Sequence, residues 1–444
     1  MVELSGLETL ARIVDPVAQR FVAAGHRIYL VGGVVRDLVL AADRPFDSGE
    51  NDIDLTTDAL PAEIKELLSP LAEAIWAQGE RFGTIGARVD GQALEVTTHR
   101  AEAYDPASRK PVVSFGRELN RDLSRRDFTI NAMAIEVPNR TVHDPYGGRD
   151  DLTAGLLRTP LSPEISFTDD PLRMMRAARF VSRFDLAPTP ELSAAAARLC
   201  DRLDIVSVER VADELERLLT VADPETGLRF LADSGLLARI LHPYGSATPA
   251  DLDAAVRLAA RPGEPVVRRA GLLWPIRAGA DQALRRLRYS KAELGRTTRL
   301  IDGLVAGLEP GLERSDVRRI VARVGHDDVP LLSSLASNLA AVEPAGRTTD
   351  SSAGSRPGDR PVIADRVDRL QGLILELGRE EDLGDLQPPL SGAEIIEVLG
   401  VEPGPIIGLA QRFLTEHRLA SGPMTADEAR ELLASWWQRS GDRN

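Results

Sequence analysis

The run Ile28-Tyr29-Leu30-Val31-Gly32-Gly33-Val34-Val35-Arg36-Asp37 is followed, after a polar segment, by Asn51-Asp52-Ile53-Asp54-Leu55-Thr56-Thr57-Asp58. Ile28–Val31 has the apolar, partly β-branched pattern of a buried strand. It ends in Gly32-Gly33, and Val34–Leu40 then reads as a helix. A strand entering a helix through glycines lets backbone N–H groups approach a phosphate, and the helix N-terminus favours negative charge there. Arg36 and Asp37 fall within the first turn. Asp43–Asn51 is a polar loop, and the next strand carries Asp52 and Asp54. Side chains two apart on a strand point to one side. Two carboxylates on one face, beside a phosphate cradle, form a site for Mg²⁺. A Gly-Gly step after a strand is often only a turn, and Asp-x-Asp is often a solvated strand face. In this order and spacing they point together to phosphoryl or nucleotidyl transfer.

The same stretch resembles the first motif of the class II nucleotidyltransferases, the tRNA CCA-adding enzymes and bacterial poly(A) polymerases of the polymerase-β superfamily. The resemblance implies an α/β nucleotidyltransferase head, a small mixed sheet with helices, followed by all-α neck, body and tail.

Composition sets the outer bounds. A chain of 444 residues holds about two to four domains. Its 43% hydrophobic content is ordinary for a globular protein, and the 4% aromatic content with abundant Ala, Leu and Arg suits a largely helical one. The single cysteine, Cys200, excludes an intramolecular disulfide and a cysteine-based zinc cluster, and fits a reduced cytoplasm. No apolar run reaches transmembrane length, so no membrane partner is expected, and the start Met1-Val2-Glu3-Leu4 lacks a signal peptide's basic region. The net charge of −14 argues against broad nonspecific nucleic-acid binding. An RNA substrate therefore needs a local basic surface.

Along the chain, Leu7–Ala24 has helical periodicity and leads into the Ile28 strand. Pro61 opens a helix through Leu68. Arg81–Val89 and Gln92–Thr98 read as a hairpin closed by Asp90-Gly91. Glu95 on its second strand is either a third carboxylate at the metal site or a solvent-facing residue. The strand Leu94-Glu95-Val96-Thr97-Thr98-His99-Arg100 resembles the family's Glu-Val-Thr-Thr-x-Arg. Arg100–Leu119 lacks periodicity and reads as a mobile loop. In the family a flexible loop here helps the site switch from C to A addition, which favours complete addition.

Arg125-Arg126-Asp127-Phe128-Thr129-Ile130-Asn131-Ala132 places two cations where triphosphate oxygens would need them. Asp127 can accept from a ribose hydroxyl, and Asn131, four residues on, is expected on the same helical face. The alternative is a basic helix start with a capping aspartate. The octapeptide matches the family's second motif, which implies ribose and phosphate binding. Asp144-Pro145-Tyr146-Gly147-Gly148 resembles the turn that closes the family's head.

Phe167–Phe180 reads as one helix with Asp170, Arg173, Arg176 and Arg179 spaced by threes. Asp170 and Arg173 share a face. A carboxylate accepts hydrogen bonds and a guanidinium only donates them. Cytosine and adenine each present an amino donor beside a ring-nitrogen acceptor. Uracil and guanine present a carbonyl beside an N–H. An Asp–Arg pair therefore suits C and A and leaves unpaired groups against U and G. Taken alone, the segment is better read as a helix start, with Pro171 in the first turn, Thr168, Asp169 or Asp170 as N-cap, and Arg176 and Arg179 on a solvated face. It resembles the family's Glu-Asp-x-x-Arg template, with Asp169 for the usual glutamate.

Ile205–Leu219 is an amphipathic helix capped by Ser207, similar to the family's Ser-x-Glu-Arg-x-x-x-Glu-Leu neck motif, and its charged residues read as structural. Beyond it the resemblance breaks. Many relatives carry a His-Asp phosphohydrolase centre, whereas here Gly271–Arg277 is Gly-Leu-Leu-Trp-Pro-Ile-Arg and no histidine lies between His242 and His326. Residues 245–340 read as a shortened helical body. Arg285, Arg286, Arg288, Lys291 and Arg296 either meet an RNA backbone or form a solvated face. Ala341–Asp365 has the composition of a disordered linker, and helical periodicity returns at Val367. Leu390–Gly408 resembles the family's tail motif. Thr425 and Glu428 form a capping-box pattern, and Trp436 and Trp437 pack on a helix or stack on a nucleotide.

The expected domains are a catalytic head at 1–150, a neck at 151–222, a body at 223–340, a linker at 341–365 and an RNA-binding tail at 366–444. The implied reaction adds C, C and A from CTP and ATP to a tRNA 3′ end with release of pyrophosphate. Asp52 and Asp54 are the expected metal ligands and catalytic carboxylates. Gly32, Gly33, Arg36 and Arg126 are expected at the phosphates, with Asp127 and Asn131 at the ribose. Asp170 and Arg173 are expected at the base edge, and Arg176 and Arg179 on the same helix are expected to bind the nucleotide. The rivals are a poly(A) polymerase with the same site and a tRNA-binding protein without catalysis.

Overall fold

The computed structural model describes residues 7–40, 53–103, 112–116, 118–241, 248–342 and 362–441. The chain divides into two compact units, Met1–Ile240 and Leu241–Asn444.

In the first unit the strands are β1 (Ile28–Val31), β2 (Ile53–Thr57), β3 (Ala74–Trp76), β4 (Thr84–Val89), β5 (Gln92–Thr98), β6 (Arg100–Ala103), β7 (Val112–Phe115), β8 (Ala134–Glu136), β9 (Thr141–His143) and a short parallel pair, β10 (Leu156–Leu157) and β11 (Ala187–Pro188). The helices are α1 (Leu7–Ala23), α2 (Gly33–Leu40), α3 (Pro61–Leu68), α4 (Leu119–Ser124), α5 (Gly148–Ala154), α6 (Pro163–Asp169), α7 (Leu172–Phe184), α8 (Pro190–Leu199), α9 (Val208–Leu219), α10 (Glu225–Asp233) and α11 (Leu236–Ile240). Seven strands make one mixed sheet in the order β3-β4-β5-β2-β1-β8-β9. Only the β2–β5 pair in it is parallel, and every other neighbour is antiparallel.

Period-two alternation fixes which face is core. Ile28, Leu30, Ile53, Leu55, Ile85, Ala87, Leu94, Val96 and Ile135 are buried against Leu10, Val14, Val17 and Phe21 of α1, Val34, Val35 and Leu38 of α2, and Ile64 and Leu68 of α3. At β1 the other face is buried as well, because Tyr29 and Val31 pack with Leu123, Ala132 and Ala134. The hairpin turns through Asp90 and Gly91, both at positive φ (49° and 75°), as a type I′ turn requires.

Three expectations change here. The segment expected as a mobile loop forms a two-stranded ribbon at its ends, β6 with β7, and continues into α4; residues 104–111 lie outside the described residues. Arg125–Ala132 is not one helix. α4 ends at Ser124, Phe128 is extended, and Thr129–Asn131 is a single 3₁₀ turn. Phe167–Phe180 is two helices rather than one. Asp170 is extended (φ −139°, ψ 98°) between α6 and α7, because the residue before a proline is driven out of the α region. Asp170 then caps α7 by accepting from the Leu172 N–H at 3.2 Å.

The second unit is helical: α12 (Pro249–Ala259), α13 (Pro265–Leu273), α14 (Ala280–Arg286), α15 (Lys291–Gly307), α16 (Arg314–Val324), α17 (Val329–Val342), α18 (Val362–Glu380), α19 (Gly392–Leu399), α20 (Pro405–Ser421) and α21 (Ala426–Gly441). Helix α17 runs into the segment expected as a linker and α18 begins inside it, which corrects both its ends; residues 343–361 lie outside the described residues. Within α16, α18 and α20 a buried triad forms. Glu381, just past α18, accepts from Arg318 at 2.8 Å and from Arg418 at 2.6 Å. Arg285 and Arg296 are engaged by Asp281 and Asp328. Trp436 stacks on Phe413 with centroids 5.3 Å apart, the packing alternative. Thr425 and Glu428 make the expected capping box.

Candidate active site

Gly32 ends β1 with φ +75°, a left-handed conformation that favours glycine. Its neighbours explain the residue further. A Cβ there would lie 3.2 Å from Arg126 Nη1 and 3.3 Å from Asp54 Oδ2. One backbone position thus brings together three motifs spread over nearly a hundred residues: the glycine step, the β2 carboxylate and the double arginine. Gly33 is the first residue of α2, so the backbone beside Asp54 and Arg126 is a helix N-terminus.

Asp54 is half-buried on β2. Its direct register partner on the parallel neighbour β5 is Glu95, also half-buried. Register partners share a face, so Glu95 stands beside Asp54. Asp52 lies outside the described residues. The donor set is oxygen-only, which suits a hard divalent cation.

Arg125 and Arg126 are anchored from below by Asp122, which is fully buried and bonds Arg125 Nη2 at 2.7 Å, with Arg126 Nη2 at 3.5 Å. Burial pushes the Asp122 carboxyl up, but the charges of Arg125 and Arg126 outweigh it and hold the pKa down at about 2. Arg126 Nε is buried and has no partner among the described residues. A buried guanidinium donor without an acceptor, at a helix N-terminus, is a place for an anionic oxygen.

Asp127, expected at the ribose, is engaged by the protein itself. Its Oδ1 accepts from Phe128 N at 2.9 Å and Asn131 Nδ2 at 3.0 Å, and its Oδ2 from Arg176 Nε at 2.9 Å and Nη2 at 2.6 Å. Four donors thus already converge on one carboxylate. Burial raises its pKa, while Arg176, Asn131 and Arg173 bring it down to about 2. Asn131 does meet Asp127, through a 3₁₀ turn instead of an α-helical face, and its Oδ1 accepts from Arg36 Nη1 at 2.8 Å.

Arg36 points inward. It is 5% exposed, pairs with Asp37 at 2.7 Å, and lies 4.2 Å over the Phe184 ring. Burial draws its pKa down, against the pull of Asp37. Arg176 and Arg179 also have acidic partners. Glu214 on α9, itself buried, accepts from Arg179 at 2.7 Å and from Arg176 at 3.4 Å. A chain of charge and amide groups therefore runs Asp37, Arg36, Asn131, Asp127, Arg176, Glu214, Arg179, tying α2 to α7 and α9.

Arg173 and Asp170 keep capacity to spare. Arg173 donates to Ser166 Oγ at 2.8 Å and to the Arg125 carbonyl, two of its five N–H groups. Asp170 accepts from Leu172 N and from Arg210 at 3.3 Å. The Arg173–Arg125 bond fixes α7 against the double-arginine motif.

Sequence reasoning missed Asp122 and did not identify Glu214 as the partner of Arg176 and Arg179. Asp122 lies three and four residues before the two arginines, a spacing that pairs on a helix. Glu214 is the second glutamate of the neck motif, but its partners are 35 and 38 residues away.

Residues 28–158 match the family model described as the poly A polymerase head domain, and residues 185–247 the one described as a probable RNA and SrmB-binding site of polymerase A. A CCA-adding enzyme of Geobacillus stearothermophilus is 37% identical over 249 residues, covering 55% of this chain and 59% of that protein. The chain spans 50% to 59% of the length of such curated relatives. The crystal structure of the Bacillus stearothermophilus CCA-adding enzyme in complex with CTP superposes with TM-score 0.70 at 23% identity, covering 98% of this chain and 99% of that one. The Thermotoga maritima CCA-adding enzyme complexed with tRNA gives TM-score 0.63 at 19% identity, covering 95% and 93%. At these identities the structural likeness establishes the fold.

Proposed function

We propose, from the premise that residues 28–158 form a poly A polymerase head domain, that this protein adds C, C and A from CTP and ATP to the 3′ end of tRNA. The observation that carries the proposal is the meeting of Asp54 and Arg126 at Gly32. It puts together, at a helix N-terminus, a carboxylate and a guanidinium whose Nε has no acceptor among the described residues.

In this reading Gly32, Gly33 and Arg126 receive the triphosphate through backbone N–H groups and a charged donor. Asp54, with Asp52, would hold Mg²⁺, which when bound lowers the pKa of the primer 3′ hydroxyl and neutralises charge on the leaving pyrophosphate. Glu95 stands beside Asp54 as a candidate third carboxylate. Asp170 supplies acceptors and Arg173 donors to the pairing edge of C or A, and both have lone pairs or N–H groups to give. Arg36, Asn131, Asp127, Arg176 and Arg179 act as the frame that holds α7 in register with the phosphate site. Precise placement is what nucleotidyl transfer asks of a protein, since most of its catalysis is positioning and electrostatics.

The similar enzymes named CCA-adding favour tRNA and CCA over an open-ended A tail. Among the described residues no helix is long and apolar enough to cross a membrane; a tRNA substrate favours the cytoplasm. The test is product length. With tRNA lacking its terminal CCA, CTP and ATP, the product should stop at three added nucleotides. An indefinite A tail would support the poly(A) reading, and tRNA binding without extension would support a binding protein.

A further inference from the structure

Across the sheet face that carries Asp54, direct register partners run Asp54 on β2, Glu95 on β5, Gly86 on β4 and Trp76 on β3. All four therefore lie on one face. The reverse of β2, β4 and β5 is the apolar core. On the Asp54 face Glu95, Thr97, Thr84 and Trp76 are each only half-buried. An indole among these polar groups needs an explanation. It lies directly against Gly86: a Cβ at that glycine would fall 1.9 Å from Trp76 Nε1. Only glycine leaves the ring its place on the sheet.

The position of this ring relative to the proposed phosphate site is informative. Gly32 and Arg126 lie on the β1 side of Asp54. The base-reading helix is tied to that side as well, through the bond from Arg173 to the Arg125 carbonyl. Gly86 lies on the other side of Asp54, two strand spacings or about 10 Å away. In phosphoryl transfer the attacking and leaving oxygens are roughly in line across phosphorus. With the triphosphate toward β1, the attacking 3′ hydroxyl arrives from the side of β5 and β4, where Trp76 lies.

We propose that Trp76 is the stacking platform for a base at the 3′ end of the RNA primer. The platform holds the terminal ribose on the β5 side of Asp54. A flat aromatic suits this role because it accepts any base, and the primer end changes at each addition. The proposal rests on the nucleotidyl-transfer reading, so its test must separate the two.

With tRNA lacking CCA, Trp76→Ala should raise KM for tRNA roughly tenfold or more, the scale of one base–aromatic stack. KM for CTP should stay within about twofold. Trp76→Phe, which keeps a ring over Gly86, should recover most of the loss. An aromatic over a sheet glycine also stabilises the sheet. A purely structural ring would instead move both KM values together, or leave both unchanged, and either result overturns the proposal. A second measurement needs no loss of the ring. In the full chain with Trp274, Trp436 and Trp437 each changed to Phe, Trp76 is the sole indole. Its emission should be quenched saturably by tRNA lacking CCA and not by CTP alone, and an unchanged spectrum with bound tRNA overturns the proposal. If the wild type extends no tRNA, the functional reading fails, while quenching by a short single-stranded RNA still decides Trp76 by itself.

Discussion

Replacing Asp127 by asparagine distinguishes a ligand-binding carboxylate from a supporting one. In the structure this carboxylate accepts four hydrogen bonds from the protein, two of them from Arg176. Its pKa is held at about 2 against an ordinary 3.8. That difference corresponds to roughly 2 kcal/mol of stability at neutral pH. The sign follows from the direction. A depressed carboxyl contributes fully above its unfolded value, and the contribution fades as pH falls from about 4 towards about 2. Asp127→Asn should therefore cost about 2 to 3 kcal/mol, at the low end for breaking a largely buried pair. For a unit of this size that lowers the midpoint by about 4–12 °C. The loss should be the same at pH 5 and pH 8, because both lie above the titration window. Hydrogen exchange of the β1 and β8 amides reports the unit concerned. A cycle with Arg176→Gln should return a coupling of at least about 1 kcal/mol. A ribose-binding aspartate behaves otherwise: the midpoint would stay within about 1 °C and discrimination between ATP and 2′-deoxyATP would collapse. That outcome would refute the supporting role of the Asp127–Arg176 pair.

Asp54→Asn should cut nucleotide addition at least about a hundredfold while the circular dichroism spectrum and tRNA affinity hold, since the side chain is only half-buried; retained activity would remove Asp54 from the chemistry. Gly32→Ala forces an L side chain to φ +75° and sets its Cβ against Asp54 and Arg126. It should cost about 1–2 kcal/mol in stability and raise KM for CTP, both read in one preparation. Glu381→Ala should destabilise the Leu241–Asn444 unit by about 3–5 kcal/mol in urea unfolding, because Arg318 and Arg418 lose their shared buried partner. Nucleotide affinity should not change with it.

What the sequence revealed depended on how local the cause was. The strand–glycine–helix step, the Asp90-Gly91 turn and the Thr425 capping box were legible because each is decided within a few residues. The break at Asp170-Pro171 was misread for a local reason too. Proline is welcome at a helix start and also bars helix in the residue before it, and only the first effect was weighed. The ends of the 341–365 segment were lost to composition, which cannot mark where a helix resting on tertiary packing begins or stops.

The partners of the arginines were hidden for a deeper reason. Burying a guanidinium without an acceptor is costly, so a buried arginine usually pairs with whatever carboxylate lies near it in space. Nothing in the local sequence says which carboxylate will be near. Asn131 is 95 positions from Arg36, and Glu214 is 35 from Arg179. Local sequence therefore names no partner for Arg36, Arg126, Arg173, Arg176 or Arg179. Their environments divide them. Arg36, Arg176 and Arg179 spend their donors on Asp37, Asn131, Asp127 and Glu214, and become the frame. Arg126 keeps a buried Nε with no acceptor among the described residues, and Arg173 makes only two bonds among the described residues, leaving three of its five N–H groups. Donors held in place and left unsatisfied are what a ligand can use, so in the proposed function the nucleotide's phosphate and base fall to Arg126 and Arg173, with the other three arginines keeping those two still.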